Sequence, residues 1–366
     1  MWNQFTRFLN ELFYRALSFF LPPNPLPLPS HPKLILVFST TGIGDGLFDS
    51  AAIKSLKQGH PKAKVIVVTH HRRQSIANHN PFVEEVIPLS KSPFSQARLL
   101  RRFLGEKPDL IVALRVNEEA VPLGYLLNRH AFVGAIERCQ RLSFLLSHPV
   151  CTKGMPHIVE ETLKVAETAG GAHVDRGMVY RVKEEECSAF DKKQPHLRST
   201  PYVVFQTGGG KTLLWRNWPV ASYIKTIQWM KRHYPHQIIL TGGSDNETAG
   251  AAIAKECPEV INLVQKTTLE ETAVLLQKAA MLVSSDTGVM HLGFAINCPT
   301  LAILHYQSPA RIYGPLDFSP GHEIVELSKP SSSSLHPEEE MLGIPQNKVQ
   351  EAIGRILLRS KFKFKF

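Results

Sequence analysis

Cysteine is sparse and scattered in this chain: Cys139, Cys151, Cys187, Cys257 and Cys298 make an odd total and include no Cys-x-x-Cys pair. Neither a disulfide framework nor a zinc knuckle is supported, and a reducing compartment is the simplest setting. Also missing from the amino terminus is an uninterrupted apolar run. A signal peptide needs such a core and a spanning helix needs about 20 apolar residues, but Arg7, Glu11 and Arg15 interrupt the first 21 positions. There is no acidic surplus: 42 Lys and Arg stand against 32 Asp and Glu, a net charge of +10. The balance favours anionic partners, among them phosphorylated sugars, nucleotides, nucleic acid and acidic membrane surfaces. Nucleic acid is the weakest of these, because the cations are not interleaved with aromatics into a recognisable binding module outside the short tail. With 366 residues, 43% of them hydrophobic, the chain is long enough for two cored domains, and disorder is excluded as its overall class.

At the amino terminus Trp2, Phe5, Leu9, Leu12, Phe13, Ala16 and Phe20 recur at three- and four-residue steps, while Arg7, Glu11 and Arg15 share another face. That pattern predicts an amphipathic helix, either lying on an anionic membrane or docked on protein. The proline-dense stretch 22–32 cannot continue it and acts as a semi-rigid spacer.

Beyond the spacer, apolar runs alternate with helical patterns. Lys33 to Ser39, Lys64 to Thr69, Glu85 to Leu89, Asp109 to Leu114 and Phe132 to Ala135 read as strands, with helices predicted at Leu47 to Lys57, Ser95 to Leu104 and His157 to Ala169. Glu184 to Thr200 is charged and weakly patterned, and reads as a linker or surface loop. The alternation then restarts with strands at Pro201 to Phe205, Gln237 to Thr241, Val260 to Leu263, Met281 to Ser284 and Pro299 to Leu304. Two such halves make an α/β protein of two Rossmann-like domains, facing a cleft at the carboxyl ends of their sheets. The expected division is 1–32 for the head helix and linker, 33–183 and 201–330 for the domains, and 331–366 for a final helix and basic tail. The tail alternates cation and phenylalanine over Arg359 to Phe366, which suits a frayed terminus or an anionic surface.

Two loops carry the chemical signal. Thr40-Thr-Gly-Ile-Gly44-Asp45-Gly46 follows the first strand; it lacks the third glycine of a dinucleotide fingerprint but permits close approach. Ser284-Ser-Asp286-Thr287-Gly288-Val-Met-His291 joins a buried strand to a helix, and a helix start offers N–H groups and a positive dipole end to an anion such as nucleotide phosphate. In both loops the plainer alternative is that the aspartate and threonine only cap their helices.

These residues, together with Asn80 to Leu89, Arg216-Asn-Trp-Pro219 and Leu240-Thr-Gly242-Gly243, resemble the bacterial heptosyltransferase family, glycosyltransferase family 9, over about Lys33 to Val325. The resemblance implies a GT-B fold. It implies Asp45 as general base on an acceptor hydroxyl, with Gly44 and Gly46 beside the acceptor, and Arg216 and Lys211 as cations for a leaving diphosphate. It further implies Gly242, Gly243, Asp286, Thr287, Gly288 and His291 as donor-binding residues. Asp286 is badly placed next to a diphosphate on charge, so holding the loop or bonding a sugar hydroxyl is its expected task.

The implied activity is inverting transfer of a heptose-like sugar from a nucleotide-diphosphate sugar, ADP-heptose by resemblance, to a lipid-linked glycan in lipopolysaccharide core assembly. The setting would be the cytoplasmic face of the inner membrane. No cofactor or metal is implied, in keeping with the lack of a convincing Asp-x-Asp motif. The sequence departs from the family after Asp45, where Gly46-Leu-Phe-Asp49-Ser-Ala-Ala52 replaces apolar residues and a proline. It also departs in the long glycine-rich loop Thr207 to Trp215. Another sugar, another surface polysaccharide acceptor, or a non-catalytic sugar-nucleotide-binding subunit are the alternatives.

Overall fold

The apolar runs become strands. In the computed structural model, which describes residues 2–198, 200–208, 213–316, 321–329 and 340–363, the chain divides into two compact units, 1–179 and 180–366. The first holds β1 (Leu34–Ser39), β2 (Lys64–His70), β3 (Glu85–Leu89), β4 (Leu110–Ala113), β5 (Phe132–Ala135) and β6 (His148–Val150). The second holds β7 (Tyr202–Gln206), β8 (Gln237–Thr241), β9 (Ile261–Asn262), β10 (Met281–Ser285), β11 (Thr300–Leu304) and β12 (Glu323–Glu326).

Both sheets are wholly parallel and share one topology. The orders are β3-β2-β1-β4-β5-β6 and β12-β11-β10-β7-β8-β9, so each unit has its first and fourth strands side by side at the centre. Parallel strands must be covered on both faces, and the central ones are accordingly uniform rather than alternating: every residue of β1, β4, β7, β10 and β11 is buried. This is the doubly wound order, in which the crossovers leave in opposite directions from the two central strands. Loops diverging there open a crevice at the strand ends, where ligands bind in this architecture. That point lies between the ends of β1 and β4 in one unit and of β7 and β10 in the other. The α/β reading with two Rossmann-like halves is what the fold displays.

Three local differences from the sequence expectation have clear causes. The helix after β1 begins at Ile43, not Leu47, because the Asp45 carboxylate accepts the Gly42 N–H and closes the first turn early; Gly44 and Gly46 therefore lie in the helix. The charged stretch 184–200, expected to be a linker or surface loop, forms the helix Glu184–Lys193, with three glutamates in its first turn and two lysines in its last. It packs on the helix Leu269–Lys278 through ion pairs of Lys193 with Glu271 and Lys278 with Asp191. Finally, the short strands β6 and β12 lie at the outer edges of their sheets, where partial burial leaves little apolar signal.

The head helix Trp2–Phe20 is amphipathic in an inverted sense. Tyr14 and Leu17 pack on the core of the first unit, Arg7 pairs with Glu118 at 3.3 Å and Arg15 stacks over Phe144. The apolar stripe points away from the body: Leu12, Phe13, Phe19 and Phe20 are 53–81% exposed. Among the described residues no helix is long and apolar enough to cross a membrane.

Candidate active site

In the first unit, the ends of β1 and β4 are stitched together. Thr40 N–H donates to the Arg115 carbonyl at 2.8 Å, and Asn117 donates from its backbone to the Thr40 hydroxyl and from its side chain to the Thr40 carbonyl. This places Arg115, two residues past β4, over the helix that starts at Ile43. Its guanidinium donates from Nη1 to Asp45 Oδ1 at 3.0 Å, while Asp45 Oδ2 accepts from Gly42 N–H at 2.8 Å. The expected cap and the expected exposed carboxylate are thus one residue: Asp45 caps its helix yet keeps its side chain 30% accessible.

Around this pair are Asp49, one turn further along the helix, and Glu161 of the helix Ile158–Thr168. Arg115 Nε lies 3.9 Å from Asp49 Oδ1 and its Nη2 lies 3.8 Å from Glu161 Oε2. Glu161 also pairs with Arg138. Asp49 is fully buried and accepts the Ser39 hydroxyl at 2.6 Å. Burial pushes its carboxyl up to about 7 against the opposing pull of Arg115 and Ser39. Arg115 was not anticipated. The available signal was a cation directly after the fourth strand, at the position where this topology opens its crevice.

In the second unit, β10 ends in Ser285 and Thr287 is the N-cap of the helix Gly288–Ala295. The Thr287 hydroxyl accepts Met290 N–H at 3.2 Å and lies 3.1 Å from the Ser284 hydroxyl, so the helix-capping alternative holds for this side chain. The helix start also offers backbone N–H groups and a positive dipole end to an anion.

Asp286 does not cap. Its buried carboxylate faces Arg216 Nη1 at 3.0 Å and His291 Nε2 at 3.5 Å, and it accepts the Ser308 hydroxyl. Burial alone would raise this carboxyl, but the hydrogen bond and charge of His291, the charge of Arg216 and the Ser308 hydroxyl together hold it below the usual carboxylate range. Holding the loop, the task expected for Asp286, includes holding a cation. Arg216 also lies over the Trp215 ring, 4.9 Å from its centroid, and keeps its side chain 26% accessible.

The loop is fixed from beneath by Ser285, whose hydroxyl accepts Trp218 N–H at 3.1 Å and lies 2.9 Å from the Tyr223 hydroxyl. Gly242 follows β8 with φ +152, and a Cβ there would run into the Asn246 side chain, so only glycine fits; Gly243 faces open space. Lys211 lies outside the described residues. Among the described residues no group of three His, Cys, Asp or Glu side chains could hold a metal ion.

The two doubly wound units present a carboxylate at the switch point of one and a cation beside a helix start in the other. The sequence model of glycosyltransferase family 9 (heptosyltransferase) matches residues 125–341. The chain is similar to lipopolysaccharide heptosyltransferase 3 of Escherichia coli, with 22% identity over 275 residues covering 71% of this chain and 80% of that protein. Its fold is similar to that of E. coli ADP-heptose lps heptosyltransferase II, with a TM-score of 0.74, 20% identity and coverage of 89% and 99% of the two chains. It is equally similar to a family 9 glycosyl transferase of Veillonella parvula, with a TM-score of 0.74, 17% identity and coverage of 90% and 98%. The chain belongs to glycosyltransferase family 9. The matched residues include Arg216, Gly242, Gly243 and Asp286 through His291, whereas Asp45 precedes them.

Proposed function

We propose that this chain is an inverting, metal-independent transferase that moves a heptose from ADP-heptose to a hydroxyl of a lipid-linked glycan in lipopolysaccharide core assembly. The observation that carries the donor side is Arg216, accessible yet anchored by Asp286, on the same carboxylate as His291. A cation held in place before the ligand arrives loses little entropy on meeting a diphosphate, and it supplies the charge compensation that a metal would otherwise provide. The sugar and nucleotide follow those named for the similar E. coli proteins.

In this reading the second unit takes the donor. The N–H groups at Thr287 and Gly288 meet phosphate, His291 and the turn Gly242-Gly243 line the donor site, and Lys211 supplies a second cation. The first unit takes the acceptor beside Gly44 and Gly46. Asp45 removes the acceptor proton as the hydroxyl attacks the anomeric carbon, the bond to the diphosphate breaks on the opposite face, and the configuration inverts. The bond from Arg115 Nη1 to Asp45 Oδ1 fixes the orientation of this carboxylate.

The exposed apolar stripe of the head helix supports attachment to the cytoplasmic face of the inner membrane, the basic tail adding attraction to anionic lipid. Titration with ADP and ADP-heptose, with and without magnesium, tests the donor assignment. Metal-independent binding lost in Arg216→Ala supports it; absence of binding, or binding only with magnesium, counts against it.

A further inference from the structure

Arg115 serves two carboxylates on one helix. Its Nη1 donates to Asp45 Oδ1 at 3.0 Å, while its Nε lies 3.9 Å from Asp49 Oδ1. Asp49 Oδ1 and Arg115 Nε are both buried without a hydrogen-bond partner, so the second contact is electrostatic and has room to tighten. Arg115 is nearly enclosed, 6% exposed, and sits over the Phe48 ring. It therefore cannot swing into water when its surroundings change, and charge can only be redistributed among the groups that face it.

We propose that Asp49 is a positioning residue for Asp45, acting through the Arg115 guanidinium that both carboxylates share. The inference rests on the assignment of Asp45 as the base. A neutral Asp49 leaves Arg115 committed to Asp45. An ionised Asp49 competes for the guanidinium, drawing Nε toward Oδ1 and weakening the hold on Asp45. The charged groups facing this cluster are Asp45 on the same helix, Arg73 just before the helix Gln74–Asn78, whose charge acts on Asp45, Arg115 after β4, Arg138 beside β5, and Glu161, which pairs with both Arg115 and Arg138; Ser39 of β1 is the neutral donor. Because burial holds the Asp49 carboxyl up at about 7, the competition takes place near neutral pH. Asp49 lies on the helix Ile43–Gly59, in the segment where this chain departs from the family pattern.

Carboxyl-carbon NMR of the intact chain, labelled at aspartate Cγ and assigned from Asp45→Asn and Asp49→Asn, reads the coupling directly. The Asp45 resonance is expected to show a second inflection near pH 7 that disappears in Asp49→Asn, a variant that keeps the acceptor for Ser39. Ser39→Ala removes a bond that favours the ionised form and should move that inflection to higher pH. A thermal melt of each variant confirms that it is folded. An Asp45 curve unchanged in Asp49→Asn, or an inflection unmoved in Ser39→Ala, overturns the proposal. Turnover of Asp45→Asn with ADP-heptose answers separately whether Asp45 is the base: wild-type turnover would remove that assignment while leaving the NMR coupling to be judged by itself.

Discussion

Arg216 and Asp286 form an ion pair at 3.0 Å in which the carboxylate is buried and the guanidinium is partly accessible. The aspartate that looked badly placed beside a diphosphate is thereby neutralised and turned to holding the cation. Arg216→Ala should weaken ADP binding by about 2 kcal/mol, roughly thirtyfold in Kd, the usual size of a hydrogen bond to a charged group. Arg216→Lys keeps the charge but loses the planar geometry and should fall between the two. Calorimetric titration of the three proteins with ADP checks the order.

Removing the other partner is a stability experiment. Asp286→Ala leaves Arg216, His291 and Ser308 without their shared acceptor and should cost about 3 kcal/mol in unfolding free energy. The pH dependence has a definite sign. A carboxyl depressed in the folded state contributes stability above its unfolded value, near 3.9, and loses that contribution as pH falls below it. Denaturant unfolding from pH 6 to pH 2 should therefore show a steeper acid loss in wild type than in Asp286→Asn.

Asp49 has the opposite sign. Its carboxyl is raised in the folded state to about 7, so folding favours the neutral form, and stability is lost as pH rises from about 4 through 7. The loss attributable to this group by pH 7 is about 4 kcal/mol as an upper bound. Asp49→Asn should flatten the stability curve across that window, and denaturant midpoints at pH 5 and pH 8 check it.

The exposed stripe of the head helix gives a surface prediction. Replacing Phe13, Phe19 and Phe20 by Ser should release the protein from vesicles containing anionic phospholipid, with a loss of more than tenfold in partitioning, since burying a Phe is worth about 2 kcal/mol. Of the docked face formed by Tyr14, Leu17, Arg7 and Arg15, only the edge contact of Phe13 with Tyr14 is lost, so thermal stability should fall little. Sedimentation with vesicles at low and high salt measures the effect; undiminished binding would assign the membrane contact elsewhere.

Much of the architecture was legible because parallel strands buried on both faces leave continuous apolar runs: β1, β2, β4, β7, β8, β10 and β11 all announce themselves. Edge strands β6 and β12 do not, being short and half solvated. The acidic helix Glu184–Lys193 escaped because it buries little more than Phe190 and is held by ion pairs to a distant helix, which no local period records. The same limit applies at the two loops. Asp45, Arg216, Asp286 and His291 could be picked out by residue type and order, but pairing Arg216 with Asp286, or Asp45 with Arg115, requires the topology that puts the first and fourth strands side by side. Thr287 shows the converse: its capping role could be read from its type and place before the helix, and its hydroxyl accepts Met290 N–H.

The most direct test of the account is transfer of labelled heptose from ADP-heptose to a heptose-deficient lipopolysaccharide acceptor, comparing wild type with Asp45→Asn and measuring ADP binding on the same samples. The account predicts transfer by wild type with inversion at the anomeric carbon, loss of at least a hundredfold in Asp45→Asn, and unchanged ADP binding. Transfer at the wild-type rate by Asp45→Asn, or no transfer by a wild-type protein that binds ADP-heptose, would contradict it.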